Sequence, residues 1–435
     1  MHSELGTRLK ELRRIKSEAI GHSITQEEIA KELGVRYATY NGWENNYTTP
    51  RRIADWCKLA DYFNITLDYL MRGDGTQASY VPFRDREDIG IKWRVNTDRL
   101  SERQANAVKV FSLFANGKTD DEIMNVMKAG ISEIQDMLLD AMRDGPVELT
   151  GLNRDHDLED ALKRKYKGHA GLIDARVFSI GETNFVFSKL LVSWGAKEYL
   201  LDELRKPFAS RMLIGIAGGT TLANMFRFIK RGECPHTSIC PLGISPVEVA
   251  TGVDPNAIIG DLAYRQQNLI DAFVMPYVSS QTRKVMDNTE DVPPEVLAAR
   301  RILRKAANVD MAFLGVGALD DVMSYMMGEF FRPAGGMTIE ELKQKAVGDI
   351  LYHIVDEKAQ IVDQHYDDFL CSIELDVLKN MVLEGKRVVL VTHSGRKDIS
   401  KVAIDAHLVN VVIVDDVLAR SLLDEDVKKH GSTDC

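Results

Sequence analysis

Cysteine is scarce. Cys57, Cys234, Cys240, Cys371 and Cys435 are spread across 435 residues and form no Cys-x-x-Cys pair. That spacing speaks against a disulfide-stapled framework and a cysteine zinc site, so no metal is expected and reduced thiols fit a cytoplasmic setting. No run of eighteen apolar residues is present, which removes a membrane-spanning helix. The opening Met1-His-Ser-Glu-Leu-Gly-Thr-Arg8 lacks the pattern of a secretory signal. Aromatics are few at 7%, and an excess of basic charge is missing, the formal net charge being −10. A wholly basic nucleic-acid-coating protein is thereby excluded, and the distribution of charge becomes informative. Residues 1–75 balance eleven Lys/Arg against eleven Asp/Glu, so the acidity lies beyond them. With 45% hydrophobic content, a chain of this length supports about two to four domains.

Residues 1–73 read as a small helical domain. Leu5, Leu9 and Leu12 recur at helical spacing. Thr25-Gln-Glu-Glu28 is a capping box that opens a second helix through Ile29, Ala30 and Leu33, and Gly34 stops it. A third helix, roughly Tyr37 to Glu44, buries Tyr40 and Trp43 and turns Tyr37, Ala38, Asn41 and Gly42 elsewhere. Two helices joined by a tight glycine turn is the geometry that places the second in a DNA major groove. Ile53, Trp56, Leu59, Ala60 and Phe63 give a fourth helix, and Ile65–Leu70 a short last one.

Thr25-Gln-Glu-Glu-Ile-Ala-Lys-Glu-Leu-Gly34, Trp43-Glu-Asn45, Pro50 and Asn64-Ile-Thr-Leu-Asp-Tyr-Leu70 resemble the five-helix Cro/phage-repressor (Xre-type) DNA-binding domain. The resemblance implies that Gln26 bonds a phosphate and that Arg36, Tyr37, Ala38, Thr39, Asn41 and Gly42 face bases or backbone. It places Asn45, Arg51 and Arg52 on the opposite phosphates. Asn46 stands where the family usually has glycine, and Asn tolerates a left-handed backbone next best.

Residues 74–97 are small, polar or aperiodic and read as a linker, with one extended segment at 89–95. In 98–150, an apolar helix through Val108, Phe111, Leu113 and Phe114 precedes two capping boxes, Thr119-Asp-Asp-Glu122 and Ser132-Glu-Ile-Gln135, around Ala129-Gly130. The segment resembles the helix-turn-helix of SorC/DeoR-type regulators. Its last helix, however, carries Glu133, Asp136 and Asp140, which repel phosphates. A coupling or oligomerisation module is favoured over a second DNA contact.

From 151 to 435, apolar strand signals alternate with helical ones. They fall at 175–180, 212–216, 238–241, 272–275, 311–315, 387–392 and 409–414, and argue a doubly wound, mostly parallel sheet. Ligands in such sheets bind beyond the carboxyl ends of strands. There, Gly218-Gly-Thr-Thr221 lies between an apolar strand and a helix, and free N–H groups at that helix start favour an anion. Pro276-Tyr-Val-Ser-Ser-Gln281 (with Ser279 and Gln281), Leu314–Leu319 (with Gly317), Val347-Gly-Asp-Ile350 (with Asp349) and Thr392-His-Ser-Gly-Arg-Lys397 also follow strand signals. The last offers His393, Arg396 and Lys397.

Gly215–Leu222, Val309–Leu319, Ala346–Ile350 with Asp356, Lys397 and Leu408–Asp416 resemble the SorC effector domain, a sugar-isomerase-like fold. That resemblance implies a phosphorylated sugar, its phosphate on Gly218, Gly219, Thr220, Thr221 and Lys397 and its hydroxyls near Asp349. Lys397 could instead form a Schiff base with an open-chain aldose. The family's usual glycine pair before the lysine is replaced here by Thr392, His393, Ser394 and Gly395, so Arg396 is an alternative anion partner.

The expectation is a multi-domain α and α/β transcriptional regulator, a homodimer or homotetramer without cofactor, joining operator DNA to a small-molecule effector. The alternative is a sugar-phosphate isomerase or deaminase using Asp349 and His393 as its acid–base pair.

Overall fold

The computed structural model describes residues 5–20, 23–50, 53–63, 70, 92–95, 100–115, 118–143, 145–179, 185–206, 211–244, 253–266, 268–278, 293–319 and 336–424. They form two compact units that divide after Gly151. No helix among the described residues is long and apolar enough to cross a membrane.

The first unit opens with α1 (Leu5–Ile20), α2 (Gln26–Leu33), α3 (Tyr37–Glu44) and α4 (Ile53–Phe63). The Thr25–Glu28 capping box is closed in both directions, satisfying two N–H groups that the helix leaves open. Gly34 ends α2 at φ 65°, a conformation that costs glycine little. Leu5, Leu9, Ile29, Leu33, Tyr40, Trp43, Leu59 and Phe63 share one core. Asn46 takes φ 59° and its Oδ1 accepts the Gly6 N–H at 2.7 Å, tying the loop after α3 back to α1.

The same unit continues with β1 (Lys92–Val95), α5 (Glu102–Ala115), α6 (Asp120–Met127), α7 (Ile131–Arg143) and β2 (Val147–Gly151). The strands pair antiparallel, so residues 92–95 of the expected linker belong to this module. Trp93 packs edge-on against Phe111, with ring centroids 4.7 Å apart. Two expectations are corrected. Lys128, at φ 54°, makes the left-handed turn after α6 rather than the Ala129-Gly130 pair, and α7 begins at Ile131, so Ser132 lies inside the helix. Asp140 pairs with Arg103 on α5.

The second unit contains α8 (His156–Ala170), β3 (Asp174–Phe178), α9 (Phe185–Leu204), β4 (Leu213–Ile216), α10 (Thr220–Arg227), β5 (Ser238–Pro241), β6 (Gly243–Ile244) and α11 (Pro255–Arg265). Next come β7 (Asp271–Ala272), α12 (Pro294–Ala306), β8 (Met311–Leu314), β9 (Val316–Ala318), α13 (Ile339–Lys345), β10 (Gly348–Ile350) and β11 (His353–Val355). It closes with α14 (Gln364–Asp367), β12 (Cys371–Ser372), α15 (Leu375–Leu383), β13 (Arg387–Val391), α16 (Lys397–Asp405), β14 (Val411–Asp415) and α17 (Asp416–Leu423).

Seven strands form one parallel sheet in the order β3-β14-β13-β8-β4-β5-β7. Every residue of β5, β8 and β14 is buried, as a sheet covered on both faces requires. From β4 the chain steps outward to β5 and β7, whereas from β8 it steps the other way to β13 and β14. The neighbours β4 and β8 therefore flank the point where the winding reverses, and a crevice opens beyond their carboxyl ends. Over that end lies an antiparallel sheet of β9, β10 and β11, a feature absent from the sequence expectations. Segments 314–319 and 347–350 are thus largely strand rather than turn.

Candidate functional site

On the first unit, α3 presents Arg36, Tyr37 and Ala38 to solvent, and no side chain caps its N-terminus. The Asn41 amide donates to Gln26 Oε1 at 2.7 Å, locking the start of α2 to the middle of α3. Glu44 is fully buried and receives the Arg13 guanidinium through Nε at 3.2 Å and Nη2 at 2.7 Å. The Asn45 amide donates to the Asn41 carbonyl at 3.1 Å, so part of its hydrogen-bonding capacity serves the end of α3. Gly42 does not face outward: it is buried, and a Cβ there would press on Thr48 Oγ1.

On the second unit, a cleft of about 430 Å³ lies at the winding reversal, a volume typical of small-molecule sites. Ala217–Leu222 enter from the turn after β4, Gly315–Gly317 from the end of β8, and Val391, Thr392, His393 and Arg396 from the turn after β13. The β10–β11 hairpin adds Asp349, Leu351 and Tyr352, α9 adds Lys189, and the start of α11 adds Val253 and Asp254.

Gly219 is the N-cap of α10 at φ 114°, open to glycine and strained for any L side chain, and no side chain caps this helix. Gly219 N–H donates to the Val253 carbonyl at 2.9 Å. A Cβ on Gly218 would collide with the Tyr352 hydroxyl and crowd Val253 O and Pro255. The hairpin tip is itself strained. Leu351 and Tyr352 have φ of 51° and 73°, and the Asp349 carboxylate accepts the Tyr352 N–H at 3.0 Å.

His393 is buried, and its Nδ1–H donates to the Ser394 carbonyl at 2.8 Å. Burial, with the positive charges of Lys189 and Arg396, holds its pKa down at about 3. The ring is neutral at physiological pH, and with the proton on Nδ1 its Nε2 is an acceptor.

Residues 151–424 match the family model described as "Putative sugar-binding domain", and residues 15–70 match a helix-turn-helix model. The chain belongs to this sugar-binding family. It is a transcriptional regulator, with a DNA-binding helix-turn-helix and a sugar-binding domain on one chain. The deoxyribonucleoside regulator of Bacillus subtilis (strain 168) is 26% identical to it over 313 residues, 70% of this chain and 91% of that protein. The full-length sorbitol operon regulator SorC of Klebsiella pneumoniae is 18% identical with a TM-score of 0.48, covering 74% of this chain and 100% of that one. A DeoR family transcriptional regulator of Listeria monocytogenes is 21% identical with a TM-score of 0.47, covering 61% and 98%.

Of the regulator's expected effector residues, Gly218, Gly219, Thr220, Thr221, Gly317, Asp349, His393 and Arg396 all line the cleft. Lys397 is not among the described residues that line it. It is the first residue of α16, one step past Arg396. Ser279 and Gln281, like Arg51 and Arg52 in the first unit and the short helix expected at 65–70 apart from Leu70, lie outside the described residues.

Lys189, Leu351, Tyr352 and Asp254 were missed. A signal existed for Lys189, because Ser188-Lys189 interrupts the otherwise apolar stretch Phe185–Leu191. None existed for Leu351-Tyr352, whose positive φ values usually call for Asn-Gly in a two-residue hairpin.

Proposed function

We propose that this regulator senses a phosphorylated sugar in the cleft beyond β4 and β8 and reports its occupancy to operator DNA held by α2 and α3. One observation carries the reading: the uncapped start of α10 meets two cationic side chains, Lys189 and Arg396, inside one cleft at the winding reversal. A helix N-terminus with flanking cations suits phosphate. The hydroxyl-rich remainder of a sugar would meet Asp349, Tyr352, Thr392 and the His393 Nε2 acceptor. Gln26, Arg36, Tyr37, Ala38, Thr39 and Asn41 would contact DNA, with Asn45, Arg51 and Arg52 on the flanking phosphates. A homodimer or homotetramer would present paired heads to two half-sites.

The enzyme alternative is weaker on chemical grounds. A base whose conjugate acid has a pKa of about 3 is a poor proton acceptor near neutral pH, and Asp349 already holds its own hairpin. The Bacillus relative's name makes deoxyribonucleosides and their sugar phosphates the first probes. Incubating the full chain with such a panel should raise its melting temperature and shift its affinity for selected DNA, without turnover. Absence of any thermal shift across the panel overturns the sensor; product formation supports the enzyme instead.

A further inference from the structure

Among the described residues, two cations from separate walls line the cleft. Lys189 belongs to α9 and Arg396 is the N-cap residue of α16. Hydrogen bonds fix the backbone around Lys189 on both sides. The Ser193 hydroxyl lies 2.6 Å from the Lys189 carbonyl and 2.8 Å from the Thr221 carbonyl, which sets this turn of α9 against the start of α10. Next to Lys189, the Ser188 hydroxyl donates to Asp415 Oδ2 at 2.5 Å, and the same oxygen accepts the Ser394 N–H at 2.6 Å. Lys189 is therefore bracketed between the Gly218–Thr221 turn and the loop carrying His393 and Arg396.

We propose that Lys189, together with Arg396, forms a cationic clamp on the anionic group seated at the start of α10, so that the cleft selects a phosphate monoester over the corresponding neutral sugar. This rests on the phosphate reading above and assigns the principal lysine to α9 instead of Lys397. A dianion at the start of α10 is attracted by both cations, and most strongly where water is partly excluded. His393 beside them is kept neutral first by its burial, and the charges of Lys189 and Arg396 act in the same direction. Lysine supplies a compact charge and arginine a planar fork, so the two recognise different oxygens of one phosphate. Two carboxylates share the cleft among the described residues: Asp349 accepts the Tyr352 N–H, and Asp254 accepts the Asn256 N–H at 2.9 Å to cap α11.

The test uses the full chain and its Lys189→Met, Lys189→Arg and Lys397→Met variants. Each is titrated with inorganic phosphate, deoxyribose 5-phosphate and deoxyribose, reading melting temperature and the His393 ring resonance. Wild type and Lys397→Met should be protected alike by the two phosphates and unaffected by deoxyribose. Lys189→Met should need roughly tenfold to hundredfold more ligand, the cost of one charge-assisted hydrogen bond, with Lys189→Arg between. In wild type, phosphate should also raise the His393 pKa, a readout independent of whether Lys189→Met folds. Equal protection of wild type and Lys189→Met, or selective loss in Lys397→Met, overturns the assignment of Lys189 while leaving the cleft a phosphate site. No protection of wild type by either phosphate, with no movement of His393, overturns the phosphate reading and the clamp with it.

Discussion

The Ser188 hydroxyl reaches across 227 positions of chain to donate to Asp415 Oδ2 at 2.5 Å. Asp415 is fully buried, and its other bonds run to the Ser394 N–H at 2.6 Å and the Leu418 N–H at 2.7 Å. One carboxylate thus fixes α9, the turn after β13 and the start of α17 together. Replacing Asp415 by Asn keeps the volume but, whichever oxygen it replaces, sets an amide donor against a backbone N–H, of Ser394 or of Leu418, that cannot accept. The expected cost is about 2–4 kcal/mol, the scale of losing charge-assisted bonds inside a protein. Calorimetry of the full chain should show the loss, with weaker phosphate protection at temperatures where the variant is folded. An unchanged melting profile would mean that the three segments hold their places without this carboxylate.

His393 makes stability depend on acidity in a defined direction. Its folded pKa, about 3, lies below the unfolded value of about 6.5, so between these pH values only the unfolded chain takes up the proton. Its contribution is complete above pH 6.5 and falls by about 1.4 kcal/mol for each pH unit below it, until pH 3 is approached. Comparing wild type with His393→Asn by denaturation at several pH values isolates the effect. The wild type should lose its advantage as pH drops from 6.5 to 4.5. Parallel curves for the two proteins would show that His393 titrates normally.

His353 has the opposite sign. Its Nδ1 lies 2.7 Å from Asp367 Oδ1 and its Nε2 3.0 Å from the Ile373 carbonyl, and since both partners are acceptors, both ring nitrogens carry protons. Burial pulls the pKa down, but the Asp367 carboxylate outweighs it and the net shift is upward. The stabilisation is complete below the unfolded pKa of about 6.5 and is lost as pH rises through the higher folded value. His353, Asp367 and Glu374 are close enough together to hold a cation, yet both nitrogens of the ring already face acceptors. NMR of the labelled ring should show an imidazolium at pH 7. A neutral ring there would contradict this account, and adding zinc should not stabilise the protein.

The parallel sheet was legible because continuous apolar runs bounded by polar turns admit few other structures, as in Val411–Val414. The hairpin over the cleft was hidden because Leu351 and Tyr352 hold left-handed conformations that nothing in their chemistry favours. Such strain is sustained only by surrounding contacts, here the Asp349 carboxylate and the approach of Tyr352 to Gly218. The choice between Arg396 and Lys397 was equally inaccessible. Successive residues at a helix start point in directions about 100° apart, and the helix boundary decides which enters the cleft. Likewise β1 finds its partner, β2, only after three intervening helices, a long-range pairing that local periodicity does not encode.

In the first unit, the α2–α3 geometry rests on a side-chain network with separable roles. Arg13 and Glu44 are an ion pair with the carboxylate fully buried, and Gln26 joins α2 to Asn41 on α3. Truncating Glu44 to Ala leaves Arg13 without this carboxylate and should cost about 3–5 kcal/mol, the scale for breaking a buried pair. DNA binding would then fail through loss of the fold. Arg36 is exposed at the start of α3, so Arg36→Ala should leave stability within about 0.5 kcal/mol of wild type. If it meets a phosphate, the variant's affinity should fall on every sequence alike, with the salt-dependence slope reduced by about one; if it reads guanine, the loss should concentrate at one base position. Measuring binding to a selected operator across salt concentrations, beside calorimetry of both variants, separates these outcomes. Wild-type affinity in a folded Arg36→Ala protein would remove Arg36 from the DNA-contacting face.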